Sequence, residues 1–407
     1  MFLESILGGQ PQNKAITNSH ELAQLMFERT FQTLSGIGIS KETAMQVTAV
    51  NRGVNLLADM VAMLPFKLFQ VLQDGNKEEA KKHPEWPMLR NKPNSFQTQY
   101  IYRYMQQRNL QMTGNAFAYK VKMGNSIQKL IPIIPETVRI EIESDFSKRF
   151  IIQQLDGSEK VFTSDQVWHL VHRTVNGYSG VGIIDEAPEA IAIALQTQRH
   201  QAMLFGNGAK TSGILSTDTP LPPEKMKQIR EAWQAVAGGD NKFGTPVLDS
   251  GLKYTPMGMT NQDAQFIELN RHQIEEIARL VGVPAMLLFH SDSTSTYASS
   301  KEFVLAFLKF SLDPWLVDWE QSYTMDLISN PAGKYYAQFV REGLERMDLL
   351  SRVQAYQGMI GARVMNPNEA RAKENMNGYD GGDEFSNPAI TPGPSQPKKE
   401  PEGNEDE

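Results

Sequence analysis

Residues 261–289 read NQDAQFIELNRHQIEEIARLVGVPAMLLF, 290–300 read HSDSTSTYASS, and 301–329 read KEFVLAFLKFSLDPWLVDWEQSYTMDLIS. Ile267, Ile274, Ile277 and Val281 recur at helical spacing and fall on one stripe, so the first segment is a helix. Thr260 with Asp263 three residues on offers a capping-box start. Gly282 and Pro284 end it, because glycine suits a left-handed C-terminal turn and proline cannot continue the ladder. The last segment is a second helix. It carries Phe303, Phe307 and Phe310 at helical spacing, expected in the core, then a kink at Pro314, then Leu316 and Trp319. The residues between the two helices are nearly all small and polar, and no regular element favours them. The stretch is a polar loop on a rigid two-helix base.

Working outward, 407 residues suffice for two to three domains or one large elaborated one. With 40% hydrophobic and 21% charged residues the balance is that of a globular protein. The absence of cysteine excludes disulfides, thiolate metal sites and a cysteine nucleophile. A net charge of -7 disfavours tight gripping of nucleic acid through its phosphates, though not passing contact with it. The N-terminal MFLESILGGQPQNK has too short an apolar run for a signal peptide. No window approaches eighteen consecutive apolar residues, so no membrane span or membrane partner is expected.

Residues 1–41 read as a mobile arm. A helix is expected over Lys41–Met63 and is ended by Pro65. The strand FKLFQVL follows, then a turn at 74–76 and an irregular Pro-rich run, HPEWPMLRNKPNSFQTQ. A helix spans Tyr100–Met112. The segments AFAYKVKM, SIQKLIPII, VRIEIES, RFIIQQL, KVFTS and QVWHLVHR alternate as strands of one antiparallel meander, so residues 65–173 form an α+β unit. Helices follow at about 184–205 and 223–236. TPVLDSGLKYTPMGM is expected to close as a local hairpin. Beyond the helix-loop-helix lie a strand, YYAQFV, and two short helices. Residues 385–407 are Pro-rich and charged, hence disordered.

Few residues suggest chemistry. Gly177, Gly180 and Gly182 have the wrong spacing for a dinucleotide loop and read as a tight turn. Ser179 lacks the final glycine of a nucleophile elbow, since Val181 stands there. Lys210 in AKTS precedes a strand rather than opening a helix, unlike a phosphate loop. His169 and His172 lie on opposite sides of a strand and cannot share a metal. Asp185, Glu186 and Glu189 complement the positive end of a helix. No catalytic residue, metal site or cofactor is assigned. The competing enzymatic reading is a hydrolase using the glycine loops at 177–213.

Several motifs then recur in a fixed order: VNRGVNLLADMVAMLPFKLFQ; HPEWPMLRNKPNSFQTQYIYRYMQQRNLQMTGNAFAY; LFGNGAKTSGIL before EKMKQIREAW; QFIELNRHQIEEIARLVGVPAMLL with its polar loop; KEFVLAFLKFSLDPWL; and NPNEAR. Taken together, residues from about Val50 to Asp380 resemble the portal proteins of tailed double-stranded-DNA bacteriophages, of the short siphophage type. GYSGVGIID departs from the Gly-x-Ser-Pro step common in relatives.

The resemblance implies a portal fold: an α+β wing, a helical stem, a small β clip and a helical crown, assembled as a ring. It implies a wing at 42–220, stem helices at 221–238 and 261–285, and a clip at 239–260. A tunnel loop at 286–299 and a long bent helix at 300–334 returning to the wing follow, with a crown at 335–384. It also implies a homo-oligomer of about 12 subunits at a capsid vertex of the virion, assembled in the host cytoplasm. The implied partners are the terminase large subunit, a head-tail adaptor, capsid and scaffolding protein, and transient double-stranded DNA. The tunnel-loop candidates are His290, Ser291, Asp292, Ser293, Thr294, Ser295, Thr296 and Tyr297. The clip candidates for partner docking are Lys242, Phe243, Lys253 and Tyr254. Another virion component, such as an adaptor, is the remaining structural alternative.

Overall fold

The computed structural model describes residues 31–73, 75–154, 156–206, 213–217, 220–237, 252–256, 262–289, 303–329, 333–341, 349–374 and 376–385. The chain divides into two compact units, Met1–Val340 and Arg341–Glu407. The fold class is α+β, as expected.

The first unit opens with a two-strand ribbon, β1 (Phe31–Gln32) and β2 (Gly38–Ile39). This end of the expected arm is tethered: Leu34 N donates to Glu189 Oε2 at 2.9 Å, and Gln196 Nε2 donates to Ser35 O at 2.9 Å. The single helix expected from Lys41 is two, α1 (Lys41–Ala44) and α2 (Thr48–Met63). Val47 takes an extended conformation and restarts the ladder, and Asn51 Nδ2 donates to the Met45 carbonyl freed by the break.

Strand β3 (Phe66–Val71) forms a hairpin with β4 (Lys77–Glu79). The run expected to be irregular contains a short helix, α3 (Trp86–Arg90), with Pro87 tolerated in its first turn. Helix α4 (Gln99–Thr113) is capped by Thr98, and Gly114 ends it in a left-handed conformation.

The strands that follow do not form one meander. β5 (Asn115–Met123) pairs with β6 (Ser126–Ile133). β7 (Val138–Ile142), β8 (Lys148–Gln153) and β9 (Glu159–Thr163) form a separate sheet. β10 (Val167–Val171) returns to pair with β5 rather than β9. Burial explains the switch: Val167, Trp168 and Leu170 are all buried, whereas β9 is mostly exposed. Phe117, Phe150, Ile152 and Val167 join the two sheets in one apolar cluster.

Two helices, α5 (Ile183–Glu186) and α6 (Pro188–Gly206), precede β11 (Gly213–Ser216) and α7 (Pro223–Ala237). β12 (Lys253–Pro256) leads to α8 (Gln262–Val281), and α9 spans 303–326. β13 (Tyr335–Phe339) pairs with the free edge of β3, from Tyr335 opposite Gln70 to Phe339 opposite Phe66. The strand expected to start a crown at 335 therefore belongs to the first unit. The second unit contains α10 (Leu349–Gly361) and α11 (Pro367–Lys373). Asn366 caps α11, and Asn368 binds the turn at 379–383 through Tyr379 and Asp383.

Helix α4 is the centre of the first unit, although its sequence, QYIYRYMQQRNLQMT, is polar on most sides. Arg103, Gln106, Gln107 and Gln111 are buried. Each is spent on a specific partner: Arg103 donates to Leu64 O at 2.7 Å, Gln106 to Phe117 O at 2.8 Å, and Gln111 to Val54 O at 3.1 Å. Gln107 Oε1 accepts from Trp319 Nε1 at 2.7 Å. Each makes at least one bond that offsets the cost of its burial, and these bonds tie α4 to α2, β5 and α9. Around it, Trp168, Trp319, Tyr323, Tyr102, Phe66 and Phe339 form an aromatic core.

Candidate functional site

The helix pair flanking the polar loop is anchored deep in the first unit. Ile277 and Val281 of α8 are buried. Gly53 on α2 permits the approach: a Cβ there would lie 3.0 Å from Val281 Cγ1. As expected, Gly282 turns left-handed, with φ of 74°, and ends α8. Pro284 then starts a 3-10 turn, Ala285–Leu288. Phe289 follows with a left-handed φ of 61° and is 84% exposed. The Arg52 guanidinium stands 5.1 Å over its ring. Arg52 and Phe289 carry no motif, so the sequence reading missed this contact at the loop's threshold.

On the other side of the loop, α9 is α-helical at 303–306, π-helical at Phe307–Leu312 and α-helical again at Asp313–Asp326. The wide turn stands where the sequence placed a kink, just before Pro314. It corrects one expectation. Phe307 is buried, but Phe303 and Phe310 are exposed. Leu312, Trp315, Leu316, Trp319 and Tyr323 face inward instead.

Of the named candidates, His290, Ser291, Asp292, Ser293, Thr294, Ser295, Thr296 and Tyr297 lie outside the described residues, as do Lys242 and Phe243. Lys253 and Tyr254 lie on β12; the rest of the stretch expected to close as a hairpin at 245–259, apart from 252–256, lies outside the described residues. β12 pairs with β11, Lys253 opposite Ser216 and Tyr254 opposite Leu215. The partner strand thus precedes α7, and the two strands close a loop around that helix. Lys253 is exposed.

The glycine loop serves backbone proximity. A Cβ on Gly180 would overlap Gly114 O and lie 2.5 Å from Gly114 C and 2.7 Å from His172 O. A Cβ on Gly182 would overlap the Met112 carbonyl. Gly180 N donates to Asn115 Oδ1 at 2.8 Å, and Gly182 N to Asp185 Oδ2 at 3.1 Å. Ser179 uses its hydrogen bonds within its own turn: its N–H reaches Asn176 Oδ1, its hydroxyl Gly180 O, and its carbonyl accepts from Thr174. A cavity of about 200 Å³ adjoins this turn, with Lys41, Glu136, Asn115, Ser179 and Asp185 among its lining residues. Lys210 lies outside the described residues. Among the described residues no group of three or more His, Asp or Glu is placed to hold a metal. No described helix is long and apolar enough to cross a membrane.

His169 and His172 have separate partners, as their positions require. His172 Nδ1 lies 2.5 Å from Asp318 Oδ2, and its ring stacks on Trp315 at 3.6 Å. His169 stacks on Phe117 at 4.4 Å. Its Nε2 lies 3.0 Å from Asn115 Oδ1, which also accepts from Gly180 N, so Nε2 carries the proton. Its Nδ1 faces the Lys148 ammonium at 3.4 Å. Burial first, and then the Lys148 charge, hold the His169 pKa well below its ordinary value. The folded protein keeps this ring neutral while the unfolded chain takes up a proton below about pH 6.5. Stability is therefore lost as pH falls through about 6.5 toward the depressed folded value, by at most about 1.4 kcal/mol per pH unit from this group. His169→Gln is expected to flatten the fall in Tm between neutral and mildly acidic pH. Parallel wild-type and variant curves over that range would refute the assignment.

A family model described as phage portal protein matches residues 48–375, most of the chain. The chain belongs to the phage portal protein family. The portal protein of Enterobacteria phage HK97 is 29% identical over 355 residues, covering 86% of this chain and 83% of that protein. A probable portal protein of Streptomyces phage phiC31 is 26% identical, covering 91% of this chain and 85% of that one. Among solved structures, an HK97-family phage portal protein from Corynebacterium diphtheriae aligns with a TM-score of 0.56 at 18% identity, over 78% of this chain and 99% of that one. The neck of a native gene transfer agent particle, computed with C12 symmetry, aligns with a TM-score of 0.56 at 18% identity, over 89% of this chain and 99% of that one. The mixed helix-and-sheet fold shared with these portal structures is the fold class the motif order implies.

Proposed function

We propose that this portal protein is the repeating subunit of a closed ring at one capsid vertex, through which double-stranded DNA enters and later leaves. The family match over residues 48–375 carries this reading. The C12 symmetry of the gene transfer agent neck supports a copy number of about a dozen. Within the subunit the wing takes 42–220, with α9 and β13 returning to it. The stem takes 221–238 and 261–285, and the clip 239–260, whose strand β12 pairs with β11 near the end of the wing. The crown takes 335–384, apart from β13, whose pairing with β3 supports counting that strand with the wing. Assembly takes place in the host cytoplasm. The terminase large subunit and then a head-tail adaptor dock on the clip, through Lys242, Phe243, Lys253 and Tyr254. Capsid and scaffolding protein contact the wing.

The polar loop His290–Ser300 lines the DNA path. Its composition suits a surface that must let DNA slide. It holds neither Lys nor Arg, and each phosphate paired by such a cation adds affinity and slows passage. The loop therefore acts sterically. Deleting Asp292–Ala298 is expected to leave ring assembly intact while reducing packaged or retained DNA, read as DNA-filled particles and phage yield. Unchanged yield from the deletion would sink the role given to the loop.

A further inference from the structure

Helix α9 is apolar on two opposite sides, and only one of them is buried. The inner side carries Phe307, Leu312, Trp315, Leu316, Trp319 and Tyr323. The outer side carries Phe303 (47% exposed), Phe310 (72%), Val317 (39%) and Met325 (80%), with exposed Pro314 and Gln321 between them. From Phe310 through Pro314, Val317, Gln321 and Met325 the spacing is four, three, four and four. That is the spacing of a seam a second helix can follow. Phe310, Val317 and Met325 recur about every two turns along this side, a pattern that suits an extended contact with a partner helix. The π-helical turn, a feature that costs regular hydrogen bonding and concentrates at functional positions, lies where Phe307 turns inward and Phe310 outward.

We infer that the outer face of α9 is the contact surface for a second copy of this chain, the neighbouring subunit of the ring. The inference rests on the ring reading above and adds the surface that closes it. A cyclic ring is built from heterologous contacts, in which each copy presents two different patches. The chain carries a second exposed apolar group, Met63, Tyr100 and Ile101, where the C-terminal end of α2 meets the N-terminal end of α4. The Tyr100 hydroxyl donates to Asp59 at 2.6 Å and holds these two helix ends together. One copy thus offers both a seam and an apolar surface to receive it.

The chain contains no cysteine, which makes the test direct. Val317→Cys in the full-length protein is labelled with a maleimide before and after ring assembly. Val175→Cys, on a turn residue that is 90% exposed, serves as the control. The expected result is ready labelling of the Val317→Cys variant as a monomer, loss of that labelling in the ring, and labelling of the Val175→Cys control in both states. Phe310→Asp is expected to abolish ring formation while leaving the Tm of the monomer unchanged. Rings in which the thiol introduced at position 317 stays reactive would overturn the assignment of this face and leave the ring reading standing. Protection of the same thiol already in the monomer would overturn it too, by showing that another segment of the same chain covers the helix. Failure of the wild-type chain to form rings at all would refute the ring reading itself, and the inference with it.

Discussion

Gly180→Ala is expected to abolish soluble expression of the folded protein, or to lower its stability by about 3–5 kcal/mol, a cost at the upper end of single substitutions. The reason is that the added methyl meets backbone. It would overlap the Gly114 carbonyl oxygen and lie 2.7 Å from the His172 carbonyl oxygen. No side-chain rotamer can relieve such contacts. Two strand ends and the start of α5 would have to move apart. They are held by the Gly180 N to Asn115 Oδ1 bond at 2.8 Å and by His172 N donating to Gly114 O at 3.0 Å. Gly124→Ala is the comparison. Gly124 has a positive φ, at 61°, but nothing within 4 Å of its Cβ position. Its cost is backbone strain alone, about 1–2 kcal/mol. Thermal melts of the two variants check this ordering, and equal losses would show that the three-way backbone contact is not tight.

Trp319→Ala is the second large effect, with an expected loss of about 3–5 kcal/mol. The side chain is fully buried and lies 5.6 Å from Trp168 and 5.3 Å from Tyr323, between ring centroids. Its removal opens a large cavity in the aromatic core. It also strips Gln107 of the donor that satisfies its buried carbonyl oxygen. The two losses share one site, so a variant that restores volume without the N–H separates them: Trp319→Phe is expected to recover most of the packing but not the hydrogen bond. Gln321→Ala, two residues on and facing out, is expected to change the monomer's stability by no more than about 0.5 kcal/mol. Similar denaturation midpoints for Trp319→Ala and Gln321→Ala would contradict the inward placement of α9's aromatic side.

Both predictions rest on features that the sequence showed unequally. Signals that act within a few residues were legible. Gly282 stops α8 in a left-handed turn, and Pro65 separates α2 from β3. Partners distant in sequence were not. Nothing within 245–259 says that β12 pairs with β11 across α7, and nothing near Tyr335 says that β13 completes the sheet of β3. β10 left the expected meander because Val167, Trp168 and Leu170 need burial that β9 does not offer.

The helix periodicity also misled at one place. Phe303, Phe307 and Phe310 sit at helical spacing, yet Phe303 is exposed ahead of the π-helical turn and Phe310 is exposed within it, and no residue in FLKFSL announces that turn. Helix α4 illustrates the opposite gap. Its glutamines and arginine look like a solvated face and are instead the bonded centre of the unit. The candidate site was legible as a loop between two strong helices, from composition and from the order of the motifs. The threshold contact between Arg52 and Phe289 was not, because it joins residues with no pattern between them.

The measurement that tests the portal reading most directly is the mass and shape of the purified full-length chain, by light scattering and negative-stain electron microscopy at high protein concentration. The expected result is a ring with a central opening wide enough for a DNA duplex, and a mass near that of twelve copies of 45.7 kDa, about 550 kDa. A particle that stays at 45.7 kDa under all assembly conditions, or an oligomer with no central opening, would contradict it.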